Sequence, residues 1–165
     1  MEIKIRPYQN SDAETIVAIL NYYIANSTAL YDYELRTLEQ QQAIFKEKLA
    51  KGFPVILATI AERVVGFGYY SEFRFREAYK FTVEHSVYVM SNEHGKGIGK
   101  VLLQNLIDLA KRQKLHTMIA VIDSENQSSV AFHEQFGFTT VGFIKESGFK
   151  FDRWLHSVIM QLMLE

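Results

Sequence analysis

Three features of this sequence could act together in one reaction, and they follow one another along the chain. Glu84 comes first, in Thr82-Val83-Glu84-His85-Ser86-Val87-Tyr88-Val89. The turn His94-Gly95-Lys96-Gly97-Ile98-Gly99-Lys100 follows, and His133 comes later, before Glu134-Gln135-Phe136-Gly137. A carboxylate among apolar neighbours such as Val83, Val87 and Val89 has a raised pKa and can take a proton from a substrate. An imidazole titrates near neutrality and can return one. A glycine turn that opens a helix can hold an anion. The first N–H groups of a helix have no internal partner, glycine allows close approach, and the helix dipole with Lys96 or Lys100 adds positive potential.

The turn fails two well-defined nucleotide patterns. In a Walker loop Gly99-Lys100 would be followed by Ser or Thr, and here Val101 follows. A dinucleotide fingerprint belongs after the first strand of a βαβ unit with G-x-G-x-x-G spacing, and these glycines stand at 95, 97 and 99, late in the chain. A cradle for the pyrophosphate of CoA remains, beside the plainer reading of a tight turn feeding a helix. Glu84 has its own plain reading as an exposed strand residue. For His133 that reading is packing against Phe132 and Phe136. His85 alternates to the face opposite Glu84 and reads as a structural, hydrogen-bonding histidine. No metal site is expected: Glu84 and His85 diverge along a strand, and His133-Glu134 lacks a second histidine one helical turn on.

These residues need elements to hold them. Ile3, Ile5 and Pro7 predict a short strand. Asn10-Ser11-Asp12 can cap a helix over Asp12–Ile24, where Ile16, Ile19, Leu20 and Tyr23 recur at helical spacing. Thr37 with Gln40 forms a capping box for a second helix, whose apolar face is expected from Leu38, Ile44, Phe45 and Leu49. Strands are predicted at Val55–Ile60, Val64–Ser71, Phe81–Met90 and Thr117–Ile122. Gly97–Gln113 is an amphipathic helix with Ile98, Val101, Leu102, Leu106 and Leu109 on one face. A short helix at Ser128–Phe136 ends at Gly137. Two last strands, Phe138–Ile144 and Leu155–Leu164, are expected to be joined by a loop near Ser147–Arg153. The pattern predicts one domain over residues 1–165, an α/β fold on a mixed sheet.

Composition narrows the function. The chain has 165 residues, 48% of them hydrophobic and 22% charged, with a net charge of −1. That balance suits one packed domain and offers no basic stripe for nucleic acid. The absence of cysteine removes thiolate nucleophiles and disulfides and fits a cytoplasmic protein. No apolar run reaches the roughly 20 residues that span a bilayer, and Met1–Arg6 lacks the apolar core of a signal peptide.

The ordered set of motifs resembles the GNAT acetyltransferase superfamily, in particular its phosphinothricin N-acetyltransferase-like branch. It comprises Thr82–Val89, the glycine turn, Asn126-Gln127-Ser128-Ser129, His133–Phe138 and Lys150-Phe151-Asp152-Arg153-Trp154-Leu155. The resemblance runs from Ile3 to Leu164. It implies the GNAT fold, with about seven strands and about four flanking helices, and acetyl-CoA lying between two splayed central strands. Val87, Tyr88 and Val89 would pair with the pantetheine arm. Gly95, Lys96, Gly97, Ile98, Gly99 and Lys100 would hold the diphosphate, and Asn126 and Gln135 would add contacts. His94 stands where the family turn usually begins with Gln or Arg.

For the chemistry, the resemblance implies that Glu84 is the general base and His133 the general acid. It places Glu77, Ala78, Tyr79, Glu84, His85, Ser86 and Asn126 against the acceptor, with Thr28–Tyr33 also facing it and Arg74, Arg76 or Lys80 able to pair with a substrate carboxylate. The implied reaction is direct transfer from acetyl-CoA to the amine of a small acceptor of the phosphinothricin, methionine sulfone or methionine sulfoximine type. A homodimer is implied as well, with Phe149, Phe151 and Trp154 available for its surface. Two alternatives stand beside this: transfer to another amine or a protein N-terminus, and CoA sensing without turnover.

Overall fold

Val55–Ile60 is apolar at nearly every position, and such a strand needs cover on both faces. The computed structural model, which describes residues 1–165, supplies it. In chain order the elements are β1 (Lys4–Pro7), α1 (Ala13–Asn26), α2 (Leu38–Ala50), β2 (Val55–Ile60), β3 (Arg63–Glu72), β4 (Thr82–Val89), α3 (Ile98–Arg112), β5 (Thr117–Asp123), α4 (Gln127–Glu134), β6 (Thr139–Lys150) and β7 (Arg153–Met163). The strands form one sheet of seven in the order β1-β2-β3-β4-β5-β7-β6. β4 and β5 are parallel and every other neighbouring pair is antiparallel. This is the mixed α/β sheet the sequence predicts.

Alternation sorts the core into two layers. Ile56 and Ala58 of β2 face α3, in a cluster with Ile98, Leu102, Leu106 and Met118. Val55 and Leu57 face the other way, onto Ile16, Ile19 and Leu20 of α1 and Phe45 of α2. Truncating a fully buried side chain such as Leu102 to Ala would cost about 2–5 kcal/mol. On α3 the buried face includes Leu103, Ile107 and Ala110, while Val101 and Leu109 are only half-buried. On α2 the buried residues are Gln41 and Phe45, and Leu38 and Leu49 are exposed. Gln41 is satisfied there because its Oε1 accepts from Arg36.

Local chemistry sets the ends of these elements. The capping box at α2 is present, with Gln40 N–H donating to Thr37 and Thr37 N–H to Gln40. Asp12, nearly buried, accepts two bonds from Arg6 at 2.8 Å and one from the N–H of Gln9, tying β1 to the start of α1. The Arg6 guanidinium holds its carboxyl below the usual range, against an opposing push from burial. The loop expected at Ser147–Arg153 is instead a hairpin. β6 runs to Lys150, and only Phe151 and Asp152, at φ 54° and 58°, make the turn. Two successive residues with positive φ give the turn twist that a two-residue hairpin needs.

One feature of the sheet positions everything that follows. β4 and β5 pair only at Thr82–Thr117, Val83–Met118 and Glu84–Ile119, although β4 continues to Val89 and β5 to Asp123. Beyond Glu84 the strands part. No helix is long and apolar enough to cross a membrane.

Candidate active site

The gap between the parted strands opens into a cleft of about 980 Å³. That is near the upper end of the range for small-molecule sites, ~300–1,000 Å³. Its floor is the free edge of β4. The N–H of Met90 bonds to Val65 of β3, so alternation directs the main-chain groups of Val87 and Val89 away from β3 and into the gap. The Val89 carbonyl accepts a 2.5 Å bond from the Tyr23 hydroxyl of α1. His94 Nε2 lies 2.7 Å from the same hydroxyl, which has already given its proton to Val89, so the imidazole is the donor. His94 thereby anchors the start of the glycine turn to α1.

The turn is shaped by Gly95 and Gly97, at φ 79° and 80°. A Cβ at either would meet nothing within 4 Å, so these residues are glycine for backbone conformation and open approach. Gly97 caps α3 without any side-chain bond, which leaves the first N–H groups of the helix facing outward. Gly95, Gly97, Ile98, Gly99 and Lys100 line the cleft. Lys96 does not. Its Nζ lies 2.5 Å from Glu93, a buried carboxylate that also accepts from Arg63. Lys96, then Arg63, holds the Glu93 carboxyl below its ordinary range.

Glu84 sits where the strands separate and lines the cleft, as do Tyr69, Ser86 and Thr28–Tyr31. It is half-buried, and burial raises its pKa above the usual carboxylate value against the opposing charges of Arg74 and Lys48. A base tuned upward in this way is better matched to an amine proton than an exposed carboxylate would be.

His85 and His133 meet on the other face. Their Nε2 atoms are 2.9 Å apart, and His133 Nδ1 lies 2.7 Å from the Ser129 carbonyl, one turn back on α4. A carbonyl can only accept, so His133 Nδ1 carries the proton and its Nε2 receives a bond from His85 Nε2–H. The remaining atom, His85 Nδ1, is the one buried side-chain polar atom with no partner. Burial, then the neighbouring His133, lowers the His85 pKa to about 3. Burial lowers that of His133 too. Both rings are neutral at physiological pH, and both nitrogens of His133 are engaged.

Other expected residues divide. Val87, Tyr88, Val89, His85, Ser86, Asn126 and Gln135 all line the cleft. Asn126 caps α4 with its side-chain oxygen, accepting from Ser129 N–H, so its amide nitrogen is the group left for a ligand. Glu77, Ala78 and Tyr79 are not brought to the cleft. They form an exposed single turn in the loop between β3 and β4. Arg74, Arg76 and Lys80 lie there over their own neighbours Phe73, Phe75 and Phe81, each at 5.2 Å. The expectation missed Tyr69, Asp123 and Phe132, which also line the cleft. None carries a local motif, and only the tertiary fold collects them. No group of three or more His, Cys, Asp or Glu is placed to hold a metal ion.

Comparison with known proteins agrees with this geometry. An acetyltransferase (GNAT) domain matches residues 5–159. The chain is 39% identical over 166 residues to an L-methionine sulfoximine/L-methionine sulfone acetyltransferase of Pseudomonas paraeruginosa, covering 100% of this chain and 96% of the relative. It is 32% identical to a phosphinothricin N-acetyltransferase of Alcaligenes faecalis, over 95% of this chain and 80% of that one. Among solved structures it is similar to a GNAT-superfamily phosphinothricin acetyltransferase from Sinorhizobium meliloti in complex with acetyl-CoA. There the TM-score is 0.96 at 34% identity, covering 99% of this chain and 89% of the other. Parted strands, a glycine turn at their mouth and full-length similarity to such enzymes lead to one conclusion: the chain belongs to the GNAT acetyltransferase family.

Proposed function

We propose that residues 1–165 are a single N-acetyltransferase domain that moves an acetyl group from acetyl-CoA directly to the amine of a small amino-acid-like acceptor. Acceptors of the methionine sulfoximine, methionine sulfone or phosphinothricin type are the ones its relatives are named for. The observation that carries this reading is the position of Glu84, a half-buried carboxylate at the point where β4 and β5 part.

The residues present suit acetyl-CoA. The main-chain groups of Val87 and Val89 offer a free strand edge to the pantetheine arm, as in recognition by strand addition. The amides of Gly95 through Lys100 offer donors to the diphosphate. Asn126 and Gln135 stand along the same wall. Bound acetyl-CoA supplies the activated acetyl group. Glu84 removes the proton that keeps an ammonium from attacking, directly or through a water. The outward N–H of Val87 or Val89 can hold the carbonyl oxygen as charge develops on it. The one proton of neutral His133 is on Nδ1 and is given to the Ser129 carbonyl, while its Nε2 accepts from His85, so neither nitrogen offers a proton to the departing sulfur and the resting geometry supports Glu84 alone as the proton-transfer group.

We also propose a homodimer in the cytoplasm. β6 is an edge strand, and Val141, Phe143, Ile144, Phe149 and Trp154 on the last hairpin are exposed. An apolar edge of that length is a hazard unless a second copy covers it. Against CoA sensing without turnover stands the pocket beside Glu84, which a sensor does not need.

The test is thiol release from acetyl-CoA over a panel of amino acids, sulfones, polyamines and peptides. Release is expected with the amino-acid-like sulfones and sulfoximines. Silence with every amine, while CoA still binds, would reject the reading.

A further inference from the structure

The segment Ser27–Tyr33, between α1 and α2, has no helix or strand of its own, yet Thr28, Ala29, Leu30 and Tyr31 line the same cleft as Glu84. Without a backbone ladder, its position depends on tertiary contacts. Four long-range hydrogen bonds hold it, all to the ends of β5 and β6. Lys150 Nζ donates to the carbonyls of Ser27 at 2.8 Å and Leu30 at 2.6 Å. The Thr28 hydroxyl donates to the Asp123 carboxylate, and the Tyr33 hydroxyl to the Phe149 carbonyl. The Tyr31 ring lies directly on Gly148, where a Cβ would come within 2.5 Å of Tyr31 Cε2.

Lys150 is unusual in this set. Its residue is only 4% exposed, and its ammonium is in none of the ion pairs of the molecule. A buried ammonium held by neutral carbonyls costs more than an apolar side chain in the same place. Desolvation accordingly lowers its pKa, with Asp32 the one charge opposing. Stability alone gives no reason for a lysine here, whereas control of the segment does. One ammonium gathers two carbonyls three residues apart and fixes the curvature of the wall between them.

We infer that Lys150 and Gly148 are positioning residues for the acceptor. They set how far the Thr28–Tyr31 wall stands from Glu84, and so which amine is held there, without touching the acetyl-CoA half of the cleft. This rests on the function proposed above.

Steady-state kinetics of Lys150→Met and Gly148→Ala, with both substrates varied, test it. Both variants are expected to raise the acceptor KM about tenfold while kcat at saturating acceptor and the acetyl-CoA KM stay within about twofold. Amide exchange in residues 27–33 should quicken in Lys150→Met. Gly148→Ala keeps the lysine and displaces the Tyr31 ring, so it tests the same wall should Lys150→Met fold poorly. Folded variants with the parent's acceptor KM would overturn the inference, as would a rise in the acetyl-CoA KM equal to that for the acceptor. A parent that releases no thiol with any amine defeats the functional reading and this inference together. Failure confined to the variants defeats the inference alone.

Discussion

At the mouth of the cleft, Gly95, Gly97 and the edge of Val87–Val89 present main chain. Elsewhere along it, Thr28, Tyr31, Tyr69 and Glu84 present side chains drawn from separate parts of the sequence. On the proposed function, the first region would recognise what every acetyl-CoA shares, and backbone amides suffice for that. The second would tell one amine from another, and there buried polar groups such as Lys150 and Asp123 hold a wall in place. A cofactor half made of backbone tolerates side-chain change as long as the turn keeps its shape. An acceptor half made of side chains does not.

Substitutions can pull these halves apart. The largest effect is expected from Glu84→Gln, which should lower kcat by about 10²–10⁴-fold and leave the acetyl-CoA KM within about twofold. Parent activity should fall as pH drops through the raised pKa of Glu84, because the base is then protonated, with that limb above the ordinary carboxylate range. A residual activity in Glu84→Gln that keeps the same acid limb would assign the limb to another group. Gly97→Val comes next. A β-branched residue at φ 80° carries a strain of about 1–3 kcal/mol, so the acetyl-CoA KM should rise about tenfold or more while acceptor preference is kept. Lys96→Met is the smallest, with a change in acetyl-CoA KM below about twofold, because its ammonium is committed to Glu93. A larger rise would mean that Lys96 leaves Glu93 when the diphosphate arrives.

The same contrast explains what the sequence disclosed. The glycine turn, the strand with Glu84 and the capping box at Thr37 are local patterns, and each reads directly as conformation. Most element boundaries came within a few residues for that reason. The hairpin at Phe151–Asp152 was read as a loop because neither turn residue is glycine. The side-chain wall of the cleft was the least legible part. Tyr69 and Asp123 look like ordinary strand residues, Lys150 like a surface lysine. Glu77–Tyr79 were expected beside the acceptor, yet the loop carrying them leaves the end of the sheet for solvent. The pairing of His85 with His133 was equally hidden, since 48 residues separate them and only the packing of α4 on the sheet closes that distance.

That pairing has a price in acid. An imidazole in the unfolded chain takes up a proton near pH 6.5, whereas His85 in place resists until about pH 3. Between those values the unfolded chain binds a proton that the folded one refuses, so stability falls as pH is lowered across that interval. The thermal midpoint should therefore decline on acidification, and His85→Gln, which can still donate to His133, should flatten the decline. Storage or assay in mildly acidic buffer would then weaken the protein from within, at the joint of β4 and α4.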